Sequence, residues 1–225
     1  MTVEIPLEGG RVTPGVVRVG ETVRRPQNPN SEFVHELLLH LELVGFDAAP
    51  RFLGIDERGR EILSFREGDV PDNIRPDYSD DVLAAAARLL RSFHDATRGW
   101  RGADVVCHND FSPVNAVFED GLPVSVIDFD IAAPGSPLDE LPYSLFLWLD
   151  LGFDGQPLAA QARRTWVFFD AYGLGVPENL VDLIVAQQRA TAVRAEPRMA
   201  DAAVWWRGQA DWLERYRAVF EDALG

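Results

Sequence analysis

Two short polar runs carry residue types suited to chemistry: His108-Asn109-Asp110-Phe111-Ser112-Pro113-Val114-Asn115 and Ile127-Asp128-Phe129-Asp130. Between them, Ala116-Val117-Phe118 and Val124-Ser125-Val126-Ile127 flank a turn at Asp120-Gly121, which predicts a hairpin. Pairing of those strands brings both runs beside one cleft. The grouping suits phosphoryl transfer from a nucleotide. That reaction needs a carboxylate to orient and deprotonate an acceptor hydroxyl, and hard oxygen ligands for magnesium. Asp110 fits the first role; the Asn115 amide oxygen and the Asp128 carboxylate fit the second. His108 is expected to brace the loop through hydrogen bonds rather than act as a base. The competing structural account makes the same residues turn formers that cap a hairpin and a helix.

The elements that must position these residues fall into two halves. Glycines at 9, 10 and 15 mark a loop ahead of Val16-Val17-Arg18-Val19. A turn at Gly20-Glu21 leads to Thr22-Val23-Arg24-Arg25, which Pro26 ends. Asn30 or Ser31 is placed to cap a helix with apolar residues at Phe33, Val34, Leu37, Leu38 and Leu41. Arg51-Phe52-Leu53-Gly54-Ile55 and Glu61-Ile62-Leu63-Ser64-Phe65 form a second hairpin around Arg58-Gly59. Turn formers crowd residues 68–79, as expected of a connection between lobes. An amphipathic helix follows from Asp80 to about Thr97, with Val82, Leu83, Ala86, Leu89, Leu90 and Phe93 on its buried side. From Pro137 the pattern is helical almost to the end, with breaks near 152–155, 173–175 and 196–197.

H-x-D-x-x-x-x-N followed by a strand ending in I-D-F-D resembles the aminoglycoside phosphotransferase and choline kinase family. The resemblance implies an α+β, protein-kinase-like two-lobe fold, with a small nucleotide-binding lobe at 1–67 and a mostly helical lobe at 68–225. It implies Asp110 as the catalytic aspartate, Asn115 and Asp128 as magnesium ligands, and a structural role for Asp139 after the Pro134-Gly135-Ser136-Pro137 turn. Most members of the family hold the nucleotide phosphates with a lysine on the third strand, and this chain contains no lysine. Arg24 occupies the equivalent place, with Arg25 expected on the opposite face by strand alternation. Glu32 or Glu36 would supply its partner from the helix. Glu61 to Arg66 resembles the hinge strand on which a nucleotide base rests, with Ser64 and Phe65 the candidate contacts.

The 225 residues carry 21 basic against 36 acidic side chains, a net charge of −15. That field repels phosphate backbones and anionic membrane surfaces, so neither nucleic acid nor membrane is an expected partner, and it favours cationic small molecules. The single cysteine, Cys107, makes no internal disulfide and no cysteine metal site. The start of the chain lacks a signal-peptide pattern and no apolar run approaches a membrane span, so a cytoplasmic protein is expected. Trp148, Asp150 and Asp154, with Trp205, Trp206 and Trp212, suit a cationic acceptor, although tryptophans at helical spacing also serve as core. The expected activity is transfer of the γ-phosphoryl of ATP or GTP, with Mg²⁺, to a hydroxyl of an amino sugar, amino alcohol or related metabolite. The alternative is a catalytically silent, kinase-like binding protein.

Overall fold

The computed structural model describes residues 3–7, 14–75, 77–152, 156–197 and 199–225. The first strands are β1 (Ile5–Pro6), β2 (Val17–Val19) and β3 (Thr22–Arg25), followed by helix α1 (Ser31–Leu43), β4 (Phe52–Ile55) and β5 (Glu61–Ser64). They build an antiparallel sheet in the order β1-β2-β3-β5-β4. In the β3–β5 register Arg25 faces Glu61 and Val23 faces Leu63. Helix α1 closes this small lobe by burying Val34, Leu37, Leu38 and Leu41. Its start differs from expectation. The Asn30 side chain makes no cap bond and instead donates to the carbonyls of Asp130 and Ala132, at 3.0 Å each.

The lobes are joined through Gly68 and Asp69. Asp69 and Phe118 exchange backbone hydrogen bonds of 2.9 and 2.7 Å. Gly68 adopts φ +128°, and a Cβ there would stand 2.6 Å from the Phe118 carbonyl oxygen. Only glycine supplies both that dihedral and that clearance.

The large lobe starts with α2 (Asp80–Thr97), capped by Ser79, whose hydroxyl accepts from Val82 N at 3.3 Å. Leu83, Ala86, Leu90 and Phe93 of α2 are wholly buried; each such leucine contributes roughly 1.5–3 kcal/mol of burial free energy. Two antiparallel ribbons lie against it. One pairs β6 (Val105–Cys107) with β9 (Ala133–Gly135); the other pairs β7 (Ala116–Glu119) with β8 (Leu122–Val126). Helices α3 (Pro137–Leu149), α4 (Leu158–Tyr172), α5 (Leu180–Ala195), α6 (Ala200–Arg215) and α7 (Arg217–Leu224) complete the lobe. Helix α4 packs on α2 and α7, and α5 on α6. Among the described residues no helix is long and apolar enough to cross a membrane.

Candidate active site

The two polar runs meet as the hairpin predicts. Ile127 N–H donates to the Asn115 carbonyl at 2.9 Å, and His108 Nε2 lies 2.9 Å from the Ile127 carbonyl. That contact makes Nε2–H the donor, and His108 Nδ1 then accepts from the Asp110 N–H at 3.3 Å. His108 is fully buried and braces the loop. The backbone turns sharply on both sides of this junction, with Asn109 and Asp128 each at φ 65°, a region that asparagine and aspartate tolerate better than most residues.

Asn115 Nδ2 donates to the Asp110 carbonyl at 2.9 Å and to Asp110 Oδ2 at 2.8 Å. Its amide nitrogen is thus committed to Asp110, which leaves Asn115 Oδ1 as the atom available to a hard cation. Burial pushes the Asp110 carboxyl up to about 6; His108 and the Asn115 bond pull it down, and the charges of Asp128 and Glu140 push it further up. A general base is most effective with a pKa close to the working pH.

A residue that the motif reading passed over holds this loop from beneath. Glu140, the neighbour of Asp139, is 1% exposed. Its oxygens accept from His108 N at 3.0 Å and Asn109 N at 2.7 Å. His94 Nε2 lies 2.7 Å from the same carboxylate, and His94 Nδ1 lies 2.7 Å from the Tyr172 hydroxyl. Cys107 is close to His94 and Glu140, but burial raises its thiol far from ionisation and the Glu140 oxygens are already engaged. Asp139 has the structural part expected, accepting from the Ser136 N–H and hydroxyl at the start of α3. Nothing local separates the two acids, because only the rotation of α3 decides which points into the core.

Strand β3 alternates as expected, with the opposite phase. Val23 and Arg25 line the cleft, while Arg24 donates to Thr22 Oγ1 at 2.6 Å and lies 3.9 Å from Asp56 on the other face. The cause is the pairing of Arg25 with the buried Glu61 across the sheet. Arg25 Nε stands 3.0 Å from Glu61 Oε1, Nη1 bonds Asp128 Oδ1 at 3.0 Å, and Nη2 bonds Asp130. The Nε contact is an ion pair without hydrogen-bond alignment. Burial would lower the Arg25 pKa, but the three carboxylates outweigh it and the net shift is upward. Glu32 and Glu36 are not its partners. Glu36 pairs with Arg101 at 2.7 Å and Glu32 faces solvent. The link from α1 is His35, whose Nε2 lies 2.7 Å from Glu61 Oε2.

These groups surround a cleft of about 890 Å³, within the range of small-molecule sites. Ser64 and Phe65 line it beside Arg66. Their N–H groups already donate to the carbonyls of Arg51 and Glu21, at 2.9 Å each. Neither N–H is therefore free to meet a ligand in the cleft. The Gly9-Gly10 part of the glycine loop and Asp154 lie outside the described residues. At the far end the cleft is aromatic and acidic. Tyr143 stacks on Trp206 with centroids 5.5 Å apart, and Trp205 meets Trp206 edge-on at 4.8 Å. Tyr143, Asp150, Trp205 and Trp206 all line the space that Asp110 faces. Burial raises the Tyr143 pKa, and the charge of Asp110 adds to the effect. Trp148 is wholly buried against Phe111, Phe118 and Tyr78 and belongs to the core.

The donor set fits a divalent ion. Asn115 Oδ1 and Asp128 offer hard oxygens, and three carboxylates around the single Arg25 cation leave an excess of negative charge at the same place.

The two-lobe fold is kinase-like, and its cleft gathers Asp110, Asn115, Asp128 and Arg25 at one place. Residues 19–173 match the model of the phosphotransferase enzyme family, APH, and the chain belongs to that family. It is 33% identical to the trifolitoxin immunity protein of Rhizobium leguminosarum bv. trifolii, over 96% of each chain. Its fold is similar to choline kinase LicA from Streptococcus pneumoniae, with a TM-score of 0.69, 13% identity, and 96% and 95% of the two chains covered. The gentamicin complex of APH(2")-IIa matches with a TM-score of 0.66 at 13% identity, covering 92% of this chain and 90% of that one.

Proposed function

We propose that the protein transfers the γ-phosphoryl group of ATP or GTP to a hydroxyl of a small cationic acceptor, such as an amino sugar or amino alcohol. The observation that carries this reading is the placement of Asp110. Its carboxyl, raised to about 6, accepts from the Asn115 amide and lines the same cleft as Asp128, Tyr143, Asp150, Trp205 and Trp206. Asp110 orients the acceptor hydroxyl and takes its proton as the oxygen attacks phosphorus. Arg25, rather than Arg24, is the cation facing the phosphates. Mg²⁺ held by Asn115 Oδ1 and Asp128 would neutralise charge on the nucleotide oxygens. Trp205, Trp206 and Tyr143, with Asp150, present ring faces and a carboxylate suited to an ammonium group.

A second reading narrows the acceptor. The similarity to a trifolitoxin immunity protein supports a toxin as the molecule modified, with protection of the host as the result. The test is a panel of amino alcohols, amino sugars and trifolitoxin incubated with each nucleotide and Mg²⁺, read as phosphorylated product by mass spectrometry. Product from any acceptor, abolished by Asp110→Asn, supports the reading. Nucleotide binding without transfer or slow hydrolysis would favour a silent binding protein.

A further inference from the structure

The Arg25 guanidinium has an unusual division of labour. Its three nitrogens stand against three different carboxylates: Nη1 and Nη2 hydrogen-bond Asp128 and Asp130, and Nε lies 3.0 Å from Glu61 as an ion pair without hydrogen-bond alignment. The side chain is 9% exposed, so these carboxylates are most of its polar surroundings. An ammonium carries its three donors on one nitrogen, whereas the guanidinium spreads its five over three nitrogens in a fixed plane. The Arg25–Asp130 pair is one stitch of a longer seam. Asn28 hydrogen-bonds the Asp130 side chain, and Asn30 Nδ2 donates to the carbonyls of Asp130 and Ala132. The segment following β3 is therefore fastened to the loop that presents Asp128. Of the five guanidinium N–H groups, the two terminal nitrogens spend one each on Asp128 and Asp130 and keep one each for another acceptor.

We propose that Asp130 is a positioning residue: with Glu61 it fixes the Arg25 guanidinium across the lobe junction, so that the remaining terminal N–H groups are aimed at the phosphates of a bound nucleotide. This rests on the phosphotransferase reading above. Asp130 acts through Arg25 and touches no reacting atom. The sign of its effect separates this role from simple electrostatics. As a bare negative charge beside an anion site, Asp130 repels triphosphate, and its removal tightens binding. As the anchor of Arg25, its removal weakens binding, because a long side chain released from one of its holds loses its preorganisation.

The test is calorimetry of ATP and GTP, with adenosine and guanosine as controls, in chelator so that no metal takes part. Asp130→Asn is expected to weaken triphosphate binding three- to tenfold and to leave nucleoside binding unchanged. Arg25→Gln weakens triphosphate more, and adding Asp130→Asn to it causes no further loss. Asp130→Glu keeps the charge but displaces the carboxylate by one methylene. It serves where the asparagine variant does not fold, with a smaller loss confined to triphosphate. Unchanged or tighter triphosphate binding in these Asp130 variants overturns the proposal alone, as does an equal loss of nucleoside. Where chelator abolishes wild-type binding, the same comparison is read in saturating Mg²⁺; failure of the wild type to bind either triphosphate there too overturns the phosphotransferase reading and this proposal with it.

Discussion

Replacing Asp110 by asparagine should make the protein more stable and inactive at once. The folded carboxyl titrates at about 6 against an ordinary value of 3.8, chiefly because it is buried. An acid raised in this way favours the folded state when protonated. Its stabilising contribution is complete below the unfolded value and is lost as pH rises through the folded one. At pH 8 both states are ionised, and the buried charge costs about 1–3 kcal/mol; the upper end follows from the displacement itself, the lower from partial exposure of the group. Asparagine is neutral at every pH and keeps an oxygen for Asn115 Nδ2. Asp110→Asn should thus gain about 1–3 kcal/mol at pH 8, and the gain should fall to roughly half at pH 5, where the wild-type side chain is mostly protonated when folded. Urea denaturation in chelator at the two pH values measures the gap. Transfer by the same variant should fall about 10²–10⁴-fold. A variant no more stable than wild type at pH 8, or a gap independent of pH, would refute the assignment of Asp110 as a buried, destabilised base.

Three further expectations concern neighbouring residues. Asp128→Ala should lower nucleotide affinity at least about tenfold in saturating magnesium and remove its magnesium dependence; calorimetry showing wild-type behaviour would count against ligation there. Arg25→Ala should weaken triphosphate binding by about 1.5–3 kcal/mol, the value of a charge-assisted hydrogen bond, with nucleoside binding spared. Arg24→Ala, on the opposite face, should leave both unchanged, and a reversed pattern would restore Arg24 to the cleft. Glu140→Gln replaces one acceptor oxygen of a fully buried cluster by an NH₂ group and should cost about 1–3 kcal/mol in urea denaturation, the penalty of leaving a buried donor without its acceptor; a loss below about 0.5 kcal/mol would show that the loop does not depend on it.

The strand and helix order was legible because each element had its own period and its own stop. Alternation over Thr22–Arg25 ends at Pro26, and α2 begins one residue past its cap Ser79, its apolar stripe at Val82. The two polar runs were legible because their residues must be contiguous to serve one loop. What escaped were contacts set by rotation and register. Strand alternation separated Arg24 from Arg25 correctly, but the side each faces depends on pairing with β5, where Glu61 lies opposite Arg25. Glu61 itself read as a hinge residue, although it supplies the charge expected from α1. Asn30 looked like a helix cap, and nothing local shows that its amide reaches two carbonyls a hundred residues on.

Direct observation of the product tests the central claim. The protein, Mg²⁺ and γ-labelled ATP or GTP are incubated with a cationic hydroxyl-bearing acceptor, and the acceptor is recovered and weighed by mass spectrometry. The expected result is an acceptor heavier by one labelled phosphoryl group with wild type, and an unmodified acceptor with Asp110→Asn at equal nucleotide occupancy. Label appearing on the acceptor equally with the variant would contradict the account at its centre, because the hydroxyl would then be activated without the carboxylate that the cleft is built around.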